Sequence, residues 1–185
     1  ALLLLHSDLL NKNESSITNR DDVKSYVAQS KQKEEKERLD ATKEKREPDY
    51  KMIENLAVEC RMPLCYGGGI KTADQAQRIF GLGVEKIALS SAALENPALV
   101  KETAKWVGNQ SVVVVLEVKK SADGKRYEVS TYNGERNTGQ DPVKLARDFE
   151  DIGAGEIVIN SIDNDGVMTG YDLKLVEEIR KSITI

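Results

Sequence analysis

The run Val112 to Val118, Val-Val-Val-Val-Leu-Glu-Val, constrains the fold more than any other stretch of the chain. β-branched side chains favour extended backbone, and an apolar run with no polar alternation needs both faces covered. Such a strand belongs at the centre of a parallel sheet whose neighbours return through helices. The flanking sequence supplies those helices. After Pro48, which suits a first helical turn, Ile53, Leu56, Ala57 and Cys60 repeat at the spacing of one buried helix face. Pro63 to Tyr66 reads as a strand running into Gly67-Gly68-Gly69, followed by an amphipathic helix with Ala73, Ala76, Ile79 and Phe80 inward and Gly81 and Gly83 closing it.

The unit then repeats. Lys86 to Leu89 is a short apolar strand, Asn96-Pro97 is an N-cap and first-turn pair, and Leu99 to Val107 makes the next helix. Tyr127 to Tyr132 alternates and meets Asn133-Gly134, a hairpin signal decorating the loop after the central strand. Val143, Leu145, Ala146, Phe149 and Ile152 form a helix face ended by Gly153 and Gly155, Ile157 to Ile159 is a further buried strand, and Asp172 to Ile183 is a closing helix. Short connections between alternating strands and helices require right-handed crossovers and a parallel sheet, which is α/β architecture. Periodicity alone does not separate an open doubly wound sheet from a closed barrel.

Upstream, Asn11 to Arg46 is dominated by Lys, Glu, Asp, Asn and Ser, with Lys31 to Arg38 almost wholly charged. Val23, Tyr26 and Val27 fall at helical spacing from about Asp21, yet the composition fits disorder equally well. The apolar start, Ala1 to Leu5, is far shorter than a signal-peptide core or a membrane span and reads as a strand. With 185 residues, 39% hydrophobic and 31% charged, one soluble, cytoplasmic domain is expected. A net charge of -4 offers no basic face for nucleic acid. Cys60 and Cys65 form neither a CxxC pair nor a cluster with histidine, so neither a disulfide framework nor a metal site is indicated.

In barrel enzymes the chemistry sits at the C-terminal ends of the strands. Gly67-Gly68-Gly69 would leave bare N–H groups at a helix N-terminus, suited to a phosphate, or would simply permit a tight turn. Ser90 and Ser91 offer two hydroxyls at another helix start, with ordinary capping as the alternative. Ser161 to Gly166 packs Asp163 and Asp165 beside a glycine, and the offsets of a calcium loop are not met by Val167, Met168 and Gly170. Glu117, near the end of the most buried strand, is a candidate general acid/base, or else a rim group held by Lys119 or Lys120.

Four stretches carry a family resemblance: Met62 to Ile70 (MPLCYGGGI), Gly83 to Ala93 (GVEKIALSSAA), Asn137-Thr138-Gly139, and Gly153 to Asp172 (GAGEIVINSIDNDGVMTGYD). In order and spacing they resemble the cyclase subunit of imidazole glycerol phosphate synthase. The resemblance implies a phosphate-binding (β/α)8 TIM barrel, of which this chain would hold six of the eight βα units and lack the last two. It implies ammonia delivered by a glutamine amidotransferase partner in a heterodimer, a ribulosyl aminoimidazole-carboxamide substrate with two phosphates, and no cofactor. The products would be imidazole glycerol phosphate, for histidine biosynthesis, and an aminoimidazole-carboxamide ribonucleotide. By the same resemblance Gly68, Gly69, Ser90, Ser91, Asp165 and Gly166 would bind substrate and phosphate, Asp165 would stand near the chemistry, and Lys86 and Glu156 would gate ammonia entry. Those last two read equally as rim charges at strand starts.

The departures are specific. Glu117 stands where the family carries a catalytic aspartate, and the extra methylene moves the acid by more than about 1 Å. No aspartate falls in register at the first strand, where Leu2 to Asp8 offers His6 or Asp8 instead, and the second strand, around Glu37 to Thr42, lacks its apolar run. Two other readings follow. A divergent branch of the family is associated with surface-polysaccharide sugars, where ammonia would convert an acetamido group into an acetamidine. Alternatively, an incomplete barrel would bind phosphate or a partner without turnover.

Overall fold

The computed structural model describes residues 47–60, 62–168 and 170–185. The expected first strand, the charged segment 11–46, His6 and Asp8 lie outside the described residues. α1 (Tyr50–Glu59) leads to β1 (Cys65–Gly67), α2 (Ala73–Gly81), β2 (Lys86–Leu89), a short α3 (Ser91–Glu95) and α4 (Ala98–Val107). A 3-10 turn, Asn109–Ser111, feeds the central strand β3 (Val112–Lys120), which runs through the hairpin β4 (Tyr127–Thr131) and β5 (Arg136–Gln140). α5 (Pro142–Ile152), β6 (Glu156–Ser161) and α6 (Leu173–Arg180) follow.

The six strands form one mixed sheet. β1, β2, β3 and β6 are parallel and neighbour one another in that order, as short right-handed crossovers require. β3 is long enough to serve three partners: its start pairs with β2, its middle with β6, and Glu117 to Lys120 with antiparallel β4. The hairpin therefore extends the sheet beyond the end of β2. Its turn is wider than Asn133-Gly134 alone, because Tyr132 and Asn133 both take φ 56° and Gly134 follows at φ 81°. β5 carries a bulge, since Val129 faces Gln140 while Ser130 faces Asn137, and Thr138 Oγ1 donates to the Val129 carbonyl at 2.6 Å where the ladder is interrupted.

Side-chain alternation sorts β3 onto two faces. Val112, Val114, Leu116 and Val118 join the main core with Ile53 of α1, Ile79 of α2, Leu99 and Val100 of α4, Phe149 of α5 and Leu175 of α6. Ala88, Val113 and Val115 form a second cluster, against Cys65 and Val158, to which no described helix contributes. All described helices thus pack on one face, the helix face, and a distinct far face carries the second cluster.

Several expectations shift for local reasons. Pro48 precedes the helix instead of starting it, because Asp49 is the cap and accepts from Met52 N at 3.0 Å. Asn96 is likewise displaced: Pro97 occupies the cap position of α4, no side chain caps it, and the helix starts at Ala98. β6, expected to be buried, is half-buried throughout after its exposed first residue. Its apolar run fits a buried strand, but among the described residues only β3 pairs with it. No described helix is long and apolar enough to cross a membrane.

Candidate active site

The C-terminal ends of β1, β2, β3 and β6 lie at one end of the parallel ladder, and the far face at that end is polar. Counting in steps of two from Val113 and Val115 places Glu117 on the far face. It is 7% exposed, while Lys119 and Lys120 are exposed, so Glu117 is not a rim group. Its register neighbours are Asn160 on β6 and Ser130 on β4. Ser90 Oγ, just past β2, lies 3.4 Å from Glu117 Oε1. A nearly buried carboxylate is costly without polar company, and this one is set among two hydroxyls and a carboxamide.

Ser90 occupies the N-cap position of α3 without making the side-chain capping bond, so ordinary capping does not account for it. Ser91 Oγ accepts from Tyr132 N at 3.3 Å, tying the start of α3 to the hairpin. Two tyrosines fasten that hairpin further. The Tyr132 hydroxyl donates to Glu95 at the end of α3, and the Tyr127 hydroxyl donates to Asp172, 2.9 Å from each carboxylate oxygen. Burial first, then that bond to Asp172, pushes the Tyr127 phenol up to about 12. The tip also rests on the loop after β6, where a Cβ added to Gly134 would come within 2.9 Å of Ile162.

The glycine loop differs from its expected form. Gly68 and Gly69 take φ 121° and 71°, conformations that favour glycine. They do not open α2, however. Thr72 caps that helix in a reciprocal box with Gln75, whose Oε1 accepts from Lys71 N at 2.8 Å and Thr72 N at 3.2 Å. The first-turn donors are thus partly engaged, and the glycines precede the cap of α2 instead of lying at its first turn. Gly67 has a packing role, because a Cβ there would meet Ala88 Cβ at 2.9 Å and Ala88 O at 3.0 Å.

In the loop after β6 the two carboxylates separate. Asp163 Oδ2 accepts from Lys120 N at 2.9 Å, binding the loop to the end of β3. Asp165 is exposed, its backbone N–H held by Ser161 O, and Gly166 follows at φ 75°. At the other end of the ladder Lys86 and Glu156, the first residues of β2 and β6, form an ion pair across β3. Both are partly exposed, so the pair contributes about 1 kcal/mol or less. Cys65 shares this end of the far face; burial pushes its thiol up, Lys86 draws it down and Glu156 raises it further.

The sequence reading missed the hairpin's contribution. Ser130 and Thr131 are almost fully buried, and neither hydroxyl has a hydrogen-bond partner among the described residues. The alternation of Tyr127 to Tyr132 was the available signal, but only the register sets Ser130 opposite Glu117. Among the described residues no group of three or more His, Cys, Asp or Glu is placed to hold a metal ion.

A family profile described as histidine biosynthesis protein matches residues 20–185. A Leptospira interrogans protein provisionally named as an imidazole glycerol phosphate synthase subunit is 51% identical over 147 residues, 80% of this chain and 58% of the relative. A Vibrio vulnificus protein of similar provisional name is 50% identical, over 80% of this chain and 56% of its own length. A Petrotoga mobilis protein named imidazole glycerol phosphate synthase subunit HisF is 40% identical, over 80% and 58%. The matched stretch thus spans little more than half the length of these curated relatives.

Proposed function

The chain belongs to the histidine biosynthesis protein family, and from that membership and the geometry of the strand ends we propose that it forms part of a cyclase subunit acting with channelled ammonia on a phosphorylated acceptor. The observation that carries this reading is Glu117, a nearly buried carboxylate at the C-terminal end of the most buried strand, beside the Ser90 hydroxyl. The fold that would support it is an incomplete (β/α)8 barrel, lacking the last two βα units. A sequential parallel order β1, β2, β3, β6 with every described helix on one face is the arrangement of a barrel wall, whereas a doubly wound sheet carries helices on both faces.

Within this reading Glu117 is the general acid/base, holding and releasing the proton that cyclisation moves. Ser90, Ser91 and the Gly68-Gly69 turn bind the phosphorylated acceptor, and Asp165 and Gly166 close over it from the loop after β6. Lys86 and Glu156 stand at the opposite end, where ammonia from a glutamine amidotransferase partner would enter. Ala88, Val113, Val115 and Val158 lie between the two ends, an apolar path suited to neutral ammonia and hostile to ammonium. The products would be imidazole glycerol phosphate and an aminoimidazole-carboxamide ribonucleotide, with no cofactor required.

The test supplies ammonium salt and the ribulosyl nucleotide to the purified chain, so that no partner is needed. Turnover that Glu117→Gln abolishes supports the reading. A chain that binds the nucleotide without turning it over contradicts it. The glutamate in place of the family's aspartate favours one second reading. That reading is ammonia-dependent formation of an amidine on an acetamido sugar, and mass loss of one water with gain of one ammonia on such a sugar would select it.

A further inference from the structure

A small cavity of about 140 Å³ lies on the outer side of the hairpin, lined by Lys120, Gly124, Lys125, Arg126, Tyr127 and Lys174. Four of these six residues are cationic and none is acidic, in a chain whose net charge is -4. Like charges gathered into one recess repel each other, a cost that an anion entering it would offset. We propose that this recess is a binding site for a phosphate group, free or as a monoester, separate from the one that Glu117 serves.

Position separates the two sites. Lys120 lies three residues beyond Glu117 on β3, so its side chain leaves from the opposite, helix face. Lys174 lies in the first turn of α6, which packs on that same face through Leu175 and Ile179. The remaining cations come from the turn between β3 and β4. A phosphate here would therefore bridge the hairpin to α6, while Glu117 works on the far face.

The surrounding carboxylates are committed elsewhere. Asp123 Oδ1 takes the Ser121 hydroxyl at 2.5 Å and Lys125 N at 3.1 Å, Asp163 takes Lys120 N, and Asp172 takes the Tyr127 hydroxyl and Leu175 N. Arg126 and Lys174 reach Glu128 and Glu178 only at 3.8 and 3.9 Å, and those glutamates line the adjoining cavity of about 310 Å³ together with Asp141. Lys120 and Lys125 have no ion-pair partner among the described residues. The recess therefore offers two ammonium groups unpaired among the described residues, and two loosely held cations, to three phosphate oxygens, in a volume equal to roughly four or five waters. The mixed charges of the larger cavity suit a polar body attached to that phosphate, which is why a monoester as well as the free ion belongs to the proposal.

The experiment follows backbone amides by NMR in the intact chain as inorganic phosphate, then ribose 5-phosphate, is added at constant ionic strength. Saturable shifts are expected at Lys120, Gly124, Lys125, Arg126 and Lys174, weakened about tenfold in the Lys125→Gln/Lys174→Gln variant, which removes two charge-assisted contacts at exposed positions. Affinity should also fall severalfold as ionic strength rises from about 0.05 to about 0.5 M. Tighter binding of the ester identifies a monoester as the occupant, and equal binding identifies the free ion. Shifts that do not saturate, that survive unchanged in the double variant, or that appear only near Gly69 and Ser91 would overturn the proposal. None of these readouts depends on turnover, so failure of the cyclase reading is recorded separately.

Discussion

Ser130→Ala should make the protein more stable. Ser130 is 1% exposed and its Oγ has no hydrogen-bond partner among the described residues, so folding strips water from a hydroxyl without replacing it. Such a group costs about 1–3 kcal/mol. Removing the oxygen leaves a void of roughly 20 Å³, which at about 24 cal/mol per Å³ returns a loss of about 0.5 kcal/mol. The net expectation is a gain of about 1 kcal/mol, or about 2–4 °C in Tm for a chain of this length. Thr103→Val on α4 is the matched control: Thr103 is fully buried, its Oγ1 is equally without a partner among the described residues, and valine keeps the shape while helix propensity hardly changes. Urea unfolding followed by circular dichroism measures both. If both midpoints fall, the hydroxyls hold partners in the folded protein and the reasoning fails. Activity then separates the two, because only Ser130 stands across from Glu117. Turnover should drop in Ser130→Ala and remain in Thr103→Val, the pattern of a polar group kept at a cost to stability.

Gly67→Ala should destabilise by about 1–3 kcal/mol by overpacking, since the added Cβ meets both the side chain and the carbonyl of Ala88; urea unfolding reads it, with Gly81→Ala, which meets nothing within 4 Å, as the benign comparison. Alkylation of Cys65 in a Cys60→Ser background should accelerate in Glu156→Gln and slow in Lys86→Met, because the carboxylate raises the thiol's pKa and the ammonium lowers it; equal rates would mean that the ion pair does not act on this face. Stability should decline between pH 10 and 12. Burial pushes Tyr66 up to about 12 from 10.0, and Tyr127 rises as far, so the unfolded chain loses these protons first, and the contribution present below pH 10 is gone once the folded groups titrate. Tyr66→Phe should flatten that decline in urea midpoints taken across the range.

What was legible in the sequence follows from how strongly each residue's preference is enforced. Lys86 to Leu89 was read with its observed bounds, and Val112 to Val118 lies inside β3, because β-branched runs without polar interruption tolerate few alternatives. Lys119 and Lys120 extend the strand for a reason no side-chain pattern records: their backbone pairs with β4 while their side chains stay exposed. Helix starts are less readable at Pro48-Asp49, where the bond that Asp49 accepts from Met52 N decides the cap, and at Asn96-Pro97, where no side chain caps the helix. The Thr72 to Gln75 capping box is legible in the sequence, and it is the feature that separates the glycine loop from the helix behind it.

The placement of Glu117 shows why one candidate site residue was legible when its neighbour Ser130 was not. A slip of one residue in β3 would turn Glu117 into the helix-packed core and bring Val118 to the far face, trading a buried valine for a buried charge. β3 is also held by β2, β6 and β4 along its length, so the ladder resists such a slip. The valines that reveal the strand therefore also aim the carboxylate, and both facts can be read from one run of residues. Ser130 reaches the same row from β4 through a bulged hairpin whose register is set by Thr138 and a left-handed turn, and Asn160 arrives from β6 beyond a helix. Their approach to Glu117 is a property of pairing between strands, so it emerges only once the sheet is assembled. An acid one methylene longer than the family's aspartate thus meets neighbours specified from two other strands, and any change of register in the hairpin should alter its surroundings without touching β3.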